Sequence, residues 1–97
     1  MAAGMVITVT FIGALRRASG ERTQIIDCEG CSVRELIEKM GTDSPELKRN
    51  LIGGEGEHQH PNALVLVNGR EISVLNGLNT RLVDDDEVVF IPVVHGG

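Results

Sequence analysis

One strong helix signal, set among short β-branched runs, constrains the fold of this 97-residue chain. Ser32-Val33-Arg34-Glu35 matches a capping box, in which the Ser hydroxyl accepts from the third helical amide and the Glu carboxylate accepts from the cap amide. Apolar residues then recur at the 3.6-residue period of one buried stripe, namely Val33, Leu36, Ile37 and Met40. Gly41 is placed to close the helix. We therefore expect one main helix whose apolar stripe needs a sheet to cover it.

A strand pattern precedes this helix. Residues 5–12 are rich in β-branched side chains and alternate between two faces. The set expected to face the core is Met5, Ile7, Val9 and Phe11. Gly13 and Ser19-Gly20 supply turn chemistry, and residues 22–26 are a plausible return strand. The first quarter of the chain is therefore predicted to be a β-hairpin.

Weaker signals follow the helix. Ser44-Pro45-Glu46-Leu47 is a second helix start, but Gly53-Gly54 limits it to one or two turns. Residues 53–61 are polar and glycine-rich, so we expect a mobile surface loop with no packed element.

The last third of the chain has three strand patterns. Residues 63–67 are followed by the turn dipeptide Asn68-Gly69 and a short partner at 71–74. After an acidic turn at 84–86, the last strand spans 87–91 and ends at Pro92. The order of elements is thus strand, strand, helix, strands, and it predicts a single domain over residues 1–97, with flexible ends at 1–4 and 93–97.

Two of these strands are apolar on both faces, which is unusual for an antiparallel sheet covered by one helix. If Val65, Val67, Val88 and Phe90 meet the helix, the residues that face outward are Leu64, Leu66, Val89 and Ile91. A contiguous apolar patch of this kind typically marks a partner site. The alternative is that a loop, or the side chains of Leu75, Leu78 and Leu82, covers it. In either case the patch flanks the strand that leads into the C-terminal tail, next to Pro92.

Composition excludes several classes of function. The 14 acidic and 9 basic residues give a net charge of −5, which disfavours nucleic acid as a partner. Trp and Tyr are absent, so no aromatic platform for base stacking is expected. No segment is long enough to cross a membrane, and residues 1–4 do not resemble a signal peptide, so we expect a cytoplasmic protein without membrane association.

The C-terminal tail offers a reactive group. The last strand leads through Val94 and His95 into Gly96-Gly97, a segment thin enough to enter a narrow catalytic channel and end in a free carboxylate. Attack of this carboxylate on the α-phosphate of ATP would give an acyl adenylate, which a thiolate, persulfide or amine could open. The alternative is a tail without chemistry. His95 is expected to act as a polar recognition residue, not as a catalyst.

Two cysteines and two histidines are possible metal ligands. Cys28 and Cys31 have the spacing of zinc knuckles and redox pairs, and His58 and His60 could complete four ligands. Zinc, a disulfide and ordinary turn residues all remain open from the sequence, with no metal site as our expectation. The acidic run 84–87 is expected to be a solvated turn that could dock on basic residues of a partner.

Taken together, these motifs resemble the ubiquitin-like β-grasp sulfur carriers. That family includes the small subunit of molybdopterin synthase (MoaD-like), the thiamine sulfur carrier (ThiS-like), small archaeal modifiers and the ubiquitin-related modifier. The resemblance spans residues 6–97. It rests on the following segments: Phe11 and Leu15-Arg16 with Gly20, Ser32 to Leu36, Val67-Asn68-Gly69, Gly77 to Thr80 with Leu82, Asp84 to Val88, Phe90-Ile91-Pro92 and Gly96-Gly97. Asp85 stands where a glycine is usual, but Asp tolerates a left-handed backbone, so we expect the turn to survive.

The resemblance implies an α+β fold, a β-grasp roll in which a mixed four- to five-stranded sheet packs on one main helix and a flexible C-terminal tail follows. It also implies a co-substrate and not an enzyme. An E1-like adenylyltransferase (MoeB/ThiF-like) would bind the outer sheet face and activate Gly97 with MgATP, without any cofactor bound to the chain itself. A sulfurtransferase would then supply sulfur for a thiocarboxylate, and molybdopterin synthesis, with the synthase large subunit as partner, is the expected destination. The alternatives are tRNA thiolation, thiamine synthesis, and isopeptide bonds between Gly97 and target lysines.

Overall fold

A mixed sheet and packed helices make up most of the chain in the computed structural model, which describes residues 6–28 and 30–93. The strands are β1 (Val6–Phe11), β2 (Thr23–Asp27), β3 (Ile52–Gly53), β4 (His60–Pro61), β5 (Ala63–Val67), β6 (Arg70–Glu71) and β7 (Glu87–Pro92). The helices are α1 (Leu15–Ser19), α2 (Val33–Asp43) and α3 (Pro45–Leu51), and 3₁₀ turns span Gly56–His58, Ile72–Val74 and Gly77–Asn79.

The main sheet has the strand order β2-β1-β7-β5-β6. The final strand β7 lies at its centre, parallel to β1 and antiparallel to β5, while β1 and β2 form the predicted antiparallel hairpin. Parallel and antiparallel neighbours meet at one strand, so the sheet is mixed. The predicted α+β fold with a mixed four- to five-stranded sheet is therefore confirmed, with five strands in the sheet.

The core lies between this sheet and α2. Ile7, Val9 and Phe11 of β1 are fully buried, as predicted, while Met5 lies outside the described residues. The rings of Phe11 and Phe90 stack with their centroids 5.7 Å apart, which joins β1 and β7 on the core side. The alternation of these strands thus places one set of apolar side chains against the helix.

Helix α2 begins where the capping box predicts. The Ser32 hydroxyl accepts from the Glu35 amide at 3.2 Å, and the Glu35 carboxylate accepts from the Ser32 amide at 2.9 Å. The prediction that Gly41 closes the helix is wrong, because α2 continues to Asp43. A Cβ on Gly41 would lie 2.7 Å from the Lys48 side chain, so this glycine permits close packing of α3 on α2. The second short helix, α3, is confirmed.

Two segments differ from the sequence-based expectation. Residues 53–61 were expected to contain no packed element, yet β3 and β4 pair at the two ends of this segment. The predicted short partner of β5 is present, but its bounds of 71–74 are wrong: β6 spans Arg70–Glu71, and a 3₁₀ turn follows. The Glu71 carboxylate accepts from the Ser73 amide at 2.7 Å, which favours the turn over continued pairing. Among the described residues, no helix is long and apolar enough to span a bilayer.

Candidate functional site

The base of the C-terminal tail is held at the centre of the sheet. Strand β7 is paired along both edges, with Phe11 opposite Phe90 on one side and Ala63 opposite Pro92 on the other. The Ile12 amide also donates to the Phe90 carbonyl at 3.0 Å. A central strand with both edges paired is a rigid support, so the position and direction from which the tail leaves the domain are fixed.

Gly13 sits against this exit point. Its φ of +60° is left-handed, and a Cβ at this position would lie 3.2 Å from Pro92 Cγ. Glycine therefore satisfies both the backbone geometry and the close approach of Pro92. Val93, the next residue, is exposed.

The predicted reactive and recognition residues of the tail are Val94, His95, Gly96 and Gly97, and all four lie outside the described residues. Their roles stay predictions. What the structure supplies is the support immediately before them, which ends at Val93.

The outer apolar patch consists of Leu64, Leu66, Val89 and Ile91. Leu64 lies opposite Ile91 and Leu66 opposite Val89 on adjacent strands, so the four side chains form a compact group on the face away from α2. Leu64 is 37% exposed and the other three, like Pro92, are partly exposed. Val65, Val88 and Phe90, which alternate with them, are buried in the core. The geometric part of the prediction is confirmed: the patch flanks the strand that leads into the tail.

The proposed leucine cover for this patch is wrong. Leu78 and Leu82 are buried in the core cluster, and Leu75 packs against the same cluster. Backbone hydrogen bonds hold the segment that contains these leucines against the start of α2. The Val33 amide donates to the Thr80 carbonyl, and the Leu82 amide donates to the Cys31 carbonyl. These leucines therefore complete the helix side of the sheet and leave the outer patch accessible.

The acidic turn before β7 is explained by its own hydrogen bonds. Asp84 accepts from the Val6 amide, and Asp86 accepts from the Val83 amide and the Asn68 side chain, each at 2.8 Å. Asp85 has a φ of +71°, so the left-handed turn survives without glycine, as predicted. The carboxylates of Asp84 and Asp86 thus serve to order the turn.

Cys28 and Cys31 form a disulfide, with their Cα atoms 5.7 Å apart and both residues buried. The disulfide leaves no thiolate for zinc. Across the described residues, no group of three or more His, Cys, Asp and Glu side chains is placed to hold a metal ion. His60 instead lies with its Nδ1 3.0 Å from the His58 carbonyl.

Helix α1 was missed by the sequence analysis. It occupies the connection between β1 and β2, where only turns were predicted, and it buries Leu15 beside the base of the tail. The available signal was Gly20, which has a φ of +82° and donates to the Arg16 carbonyl as a helix cap. The five-residue length of α1 gives too little periodicity for a helix to be recognised from the pattern alone.

Comparison with known proteins then decides the family. The ThiS family model matches residues 9–97, which covers nearly the whole chain and includes Gly97. The chain belongs to the ThiS family. The small sulfur carriers and modifiers of this group are substrates of E1-like activating enzymes and are not themselves catalysts.

Individual relatives of this ThiS-family chain agree with the assignment. A protein of Archaeoglobus fulgidus, named as a candidate sulfur carrier, is 32% identical over 72 residues, covering 74% of this chain and 81% of its own. The small archaeal modifier protein 1 of Methanosarcina acetivorans has a similar structure, with a TM-score of 0.79 and 29% identity over 99% of this chain and 100% of its own. A candidate molybdopterin converting factor subunit 1 of Pyrococcus furiosus has a TM-score of 0.73 and 27% identity, covering 93% of this chain and 99% of its own.

Proposed function

We propose that this ThiS-family chain carries sulfur as a thiocarboxylate on Gly97. The observation that supports this most directly is the family match, which extends through residue 97 and so includes the Gly-Gly tail. The rigid attachment of β7 at the sheet centre is consistent with a tail that must be delivered accurately into another protein. The tail would be recognised through Val94, His95 and Gly96, and the outer apolar patch with Pro92 would contact the activating enzyme.

The proposed chemistry proceeds in steps that the chain undergoes but does not catalyse. The Gly97 carboxylate attacks the α-phosphate of ATP, held with Mg²⁺ by an E1-like adenylyltransferase, and pyrophosphate leaves. A persulfide on a sulfurtransferase displaces AMP and gives an acyl disulfide. A second thiol then reduces this bond, which leaves the thiocarboxylate and a disulfide on the sulfurtransferase.

Molybdopterin synthesis is the proposed destination of the sulfur. It is supported by the likeness to the Pyrococcus furiosus protein, whose name refers to molybdopterin conversion. In that role the outer patch and the tail would also contact the large subunit of the synthase.

A second candidate function is covalent modification of proteins. It is supported by the likeness to the small archaeal modifier of Methanosarcina acetivorans. Both functions share the adenylate, and they differ in whether a sulfur nucleophile or a target lysine displaces AMP.

The deciding experiment is intact-mass spectrometry of the protein isolated from its native cell with a thiol-trapping reagent, combined with a search for Gly-Gly remnants on lysines. A sulfur-for-oxygen exchange on the chain would support the carrier, and remnants traceable to this tail would support the modifier. A variant lacking Gly96 and Gly97 should fold normally and give neither product. Finding neither product on the intact chain, after incubation with ATP and its activating enzyme, would contradict both.

A further inference from the structure

A groove lies beside the base of the tail and shares only Pro92 with the proposed contact surface. It has a volume of about 470 Å³ and lies between α1 and α3. Its lining includes Arg17, Arg49 and Asn62 together with Pro92 and Val93, the last described residues before the tail. The groove is therefore directly adjacent to the point where the tail leaves the domain.

The walls of the groove are held by hydrogen bonds. The Ser44 hydroxyl, at the start of α3, donates to the Ala18 carbonyl of α1 at 3.5 Å. On the other wall, the Asn62 side chain donates to the Arg49 carbonyl at 3.2 Å. The backbone amide of Asn62 donates to the Leu51 carbonyl at 2.9 Å. Leu15 anchors α1 in the core. The backbone of the groove is thus ordered before any partner arrives, which lowers the entropic cost of binding.

Positive charge is concentrated at this end of an otherwise acidic protein. Arg17 and Arg49 line the groove, and Arg16 and Arg22 line the adjoining hollow at Gly13 and Gly20. Only two acidic side chains, Glu46 and Glu21, line these two surfaces. Within residues 6–28 and 30–93 the sole ion pair is Lys48 with Glu38, so these guanidinium groups have no carboxylate partner there.

The tail brings this groove into contact with any enzyme that processes it. Residues 94–97 span at most about 14 Å when fully extended. An enzyme that holds Gly97 in its catalytic site must therefore place its surface close to Val93 and the adjoining groove. Guanidinium groups bind carboxylates through two parallel hydrogen bonds, and this geometry selects acidic side chains.

We infer that the groove formed by α1 and α3 docks an acidic segment of the activating enzyme, with Arg17 and Arg49 as the contacts that recognise it. This inference rests on the proposed function and adds a second contact to the outer apolar patch. A protein partner is favoured over nucleic acid because the chain has a net charge of −5 and Glu46 lines the groove. Such charge pairs act mainly on the rate of encounter and on specificity.

The test uses Arg17→Glu and Arg49→Glu in ATP–pyrophosphate exchange catalysed by the activating enzyme of the source organism. Each variant should raise the KM for the carrier about tenfold at low salt, with kcat unchanged, since encounter is slowed and chemistry is not. The difference should shrink in about 0.5 M salt, where exposed charges are screened. Arg17→Gln should raise the KM less than Arg17→Glu, because it removes a charge without reversing it.

The matched control is Arg70→Glu, which makes the same change of charge. Arg70 is exposed on β6 and pairs with Val67, at the end of β5 away from Pro92, so its KM should stay near that of the wild type. Thermal unfolding of each variant verifies the fold.

If the KM values of Arg17→Glu and Arg49→Glu match that of Arg70→Glu, the groove inference is overturned and the proposed function stands. If the KM of Arg17→Glu and Arg49→Glu equals that of Arg70→Glu but both variants lose binding to a single-stranded RNA probe, the partner is nucleic acid and the inference is again overturned. A wild-type chain that is never adenylylated overturns both.

Discussion

The two faces of β7 both carry apolar side chains, but they differ in how deeply those side chains are buried. Val88 and Phe90 are fully buried against the helix side, whereas Val89 and Ile91 on the other face stay partly exposed. The helix side is closed by α2 and the leucines that follow β6, while Leu64 on the outer face is 37% exposed. Apolar character thus supports the fold on one face and is available to a partner on the other.

The largest effect should come from removing a core-side ring. Phe90→Ala should lower the free energy of unfolding by about 3–5 kcal/mol, because a buried ring is replaced by a cavity. Ile91→Ala, one residue further along the same strand, should cost about 1 kcal/mol because its side chain is already partly in water. Chemical denaturation of both variants measures the difference. Equal losses would mean that the outer face is as structural as the core.

The disulfide also belongs to the helix side, where it joins the end of β2 to the start of α2. Replacing both Cys28 and Cys31 with Ser should cost about 2 kcal/mol, the entropy that a short closed loop removes from the unfolded chain. Thermal unfolding with and without a thiol reductant checks this. The wild type should lose stability in reductant, and the stability of the double variant should not change. If reductant does not change the stability of the wild type, the disulfide does not stabilise the fold.

The outer apolar patch should affect binding more than stability. Leu66→Ser with Val89→Ser replaces a directly opposed pair and should weaken binding to the activating enzyme about tenfold, equivalent to about 1.4 kcal/mol. Val74→Ser is the control, because Val74 is 74% exposed in a 3₁₀ turn and is not part of the sheet. Calorimetric titration with the enzyme measures both variants. A similar affinity for all forms would show that this face is not the docking surface.

The smallest effects should come from the capping box of α2. Ser32→Ala should cost about 1 kcal/mol of stability, because the third helical amide loses its acceptor. The matched control is Ser73→Ala, which should cost less because the Ser73 side chain is exposed and its hydroxyl donates only to the Glu71 carboxylate. Urea denaturation of the two variants makes the comparison.

The same box predicts a pH dependence. Hydrogen bonds from the Ser32 amide and hydroxyl hold the pKa of Glu35 below its ordinary value of 4.5. A carboxyl whose pKa is lowered by folding stabilises the protein above the unfolded pKa, and this contribution is lost as pH falls through the folded pKa. Ser32→Ala removes the hydroxyl and keeps the amide donor, so the Glu35 pKa measured by NMR should rise part of the way toward 4.5, and an unchanged pKa would contradict the role of the hydroxyl.

Local signals predicted those features of the fold that depend on nearby residues. The capping box located the start of α2, Asn68-Gly69 located the β5–β6 turn with both residues at positive φ, and alternation assigned the faces of β1, β5 and β7. The resemblance to sulfur carriers, built on the same short motifs, predicted the family. The outer apolar patch followed from apolar residues at consecutive positions, because a strand has only two faces.

What the sequence could not determine depends on contacts between distant segments. Gly41 has the pattern of a helix end, but α2 passes through it to Asp43, and the missing Cβ leaves room for the Lys48 side chain of α3. The groove at the base of the tail joins Arg17 and Arg49 from two helices, one of which was not predicted. The sequence by itself determined the strand faces, the main helix and the family, since each is set by periodicity or a short motif. Only the tertiary structure decided that β7 lies at the sheet centre and that two arginines line a groove beside the base of its tail, because packing brings together residues that no local pattern connects.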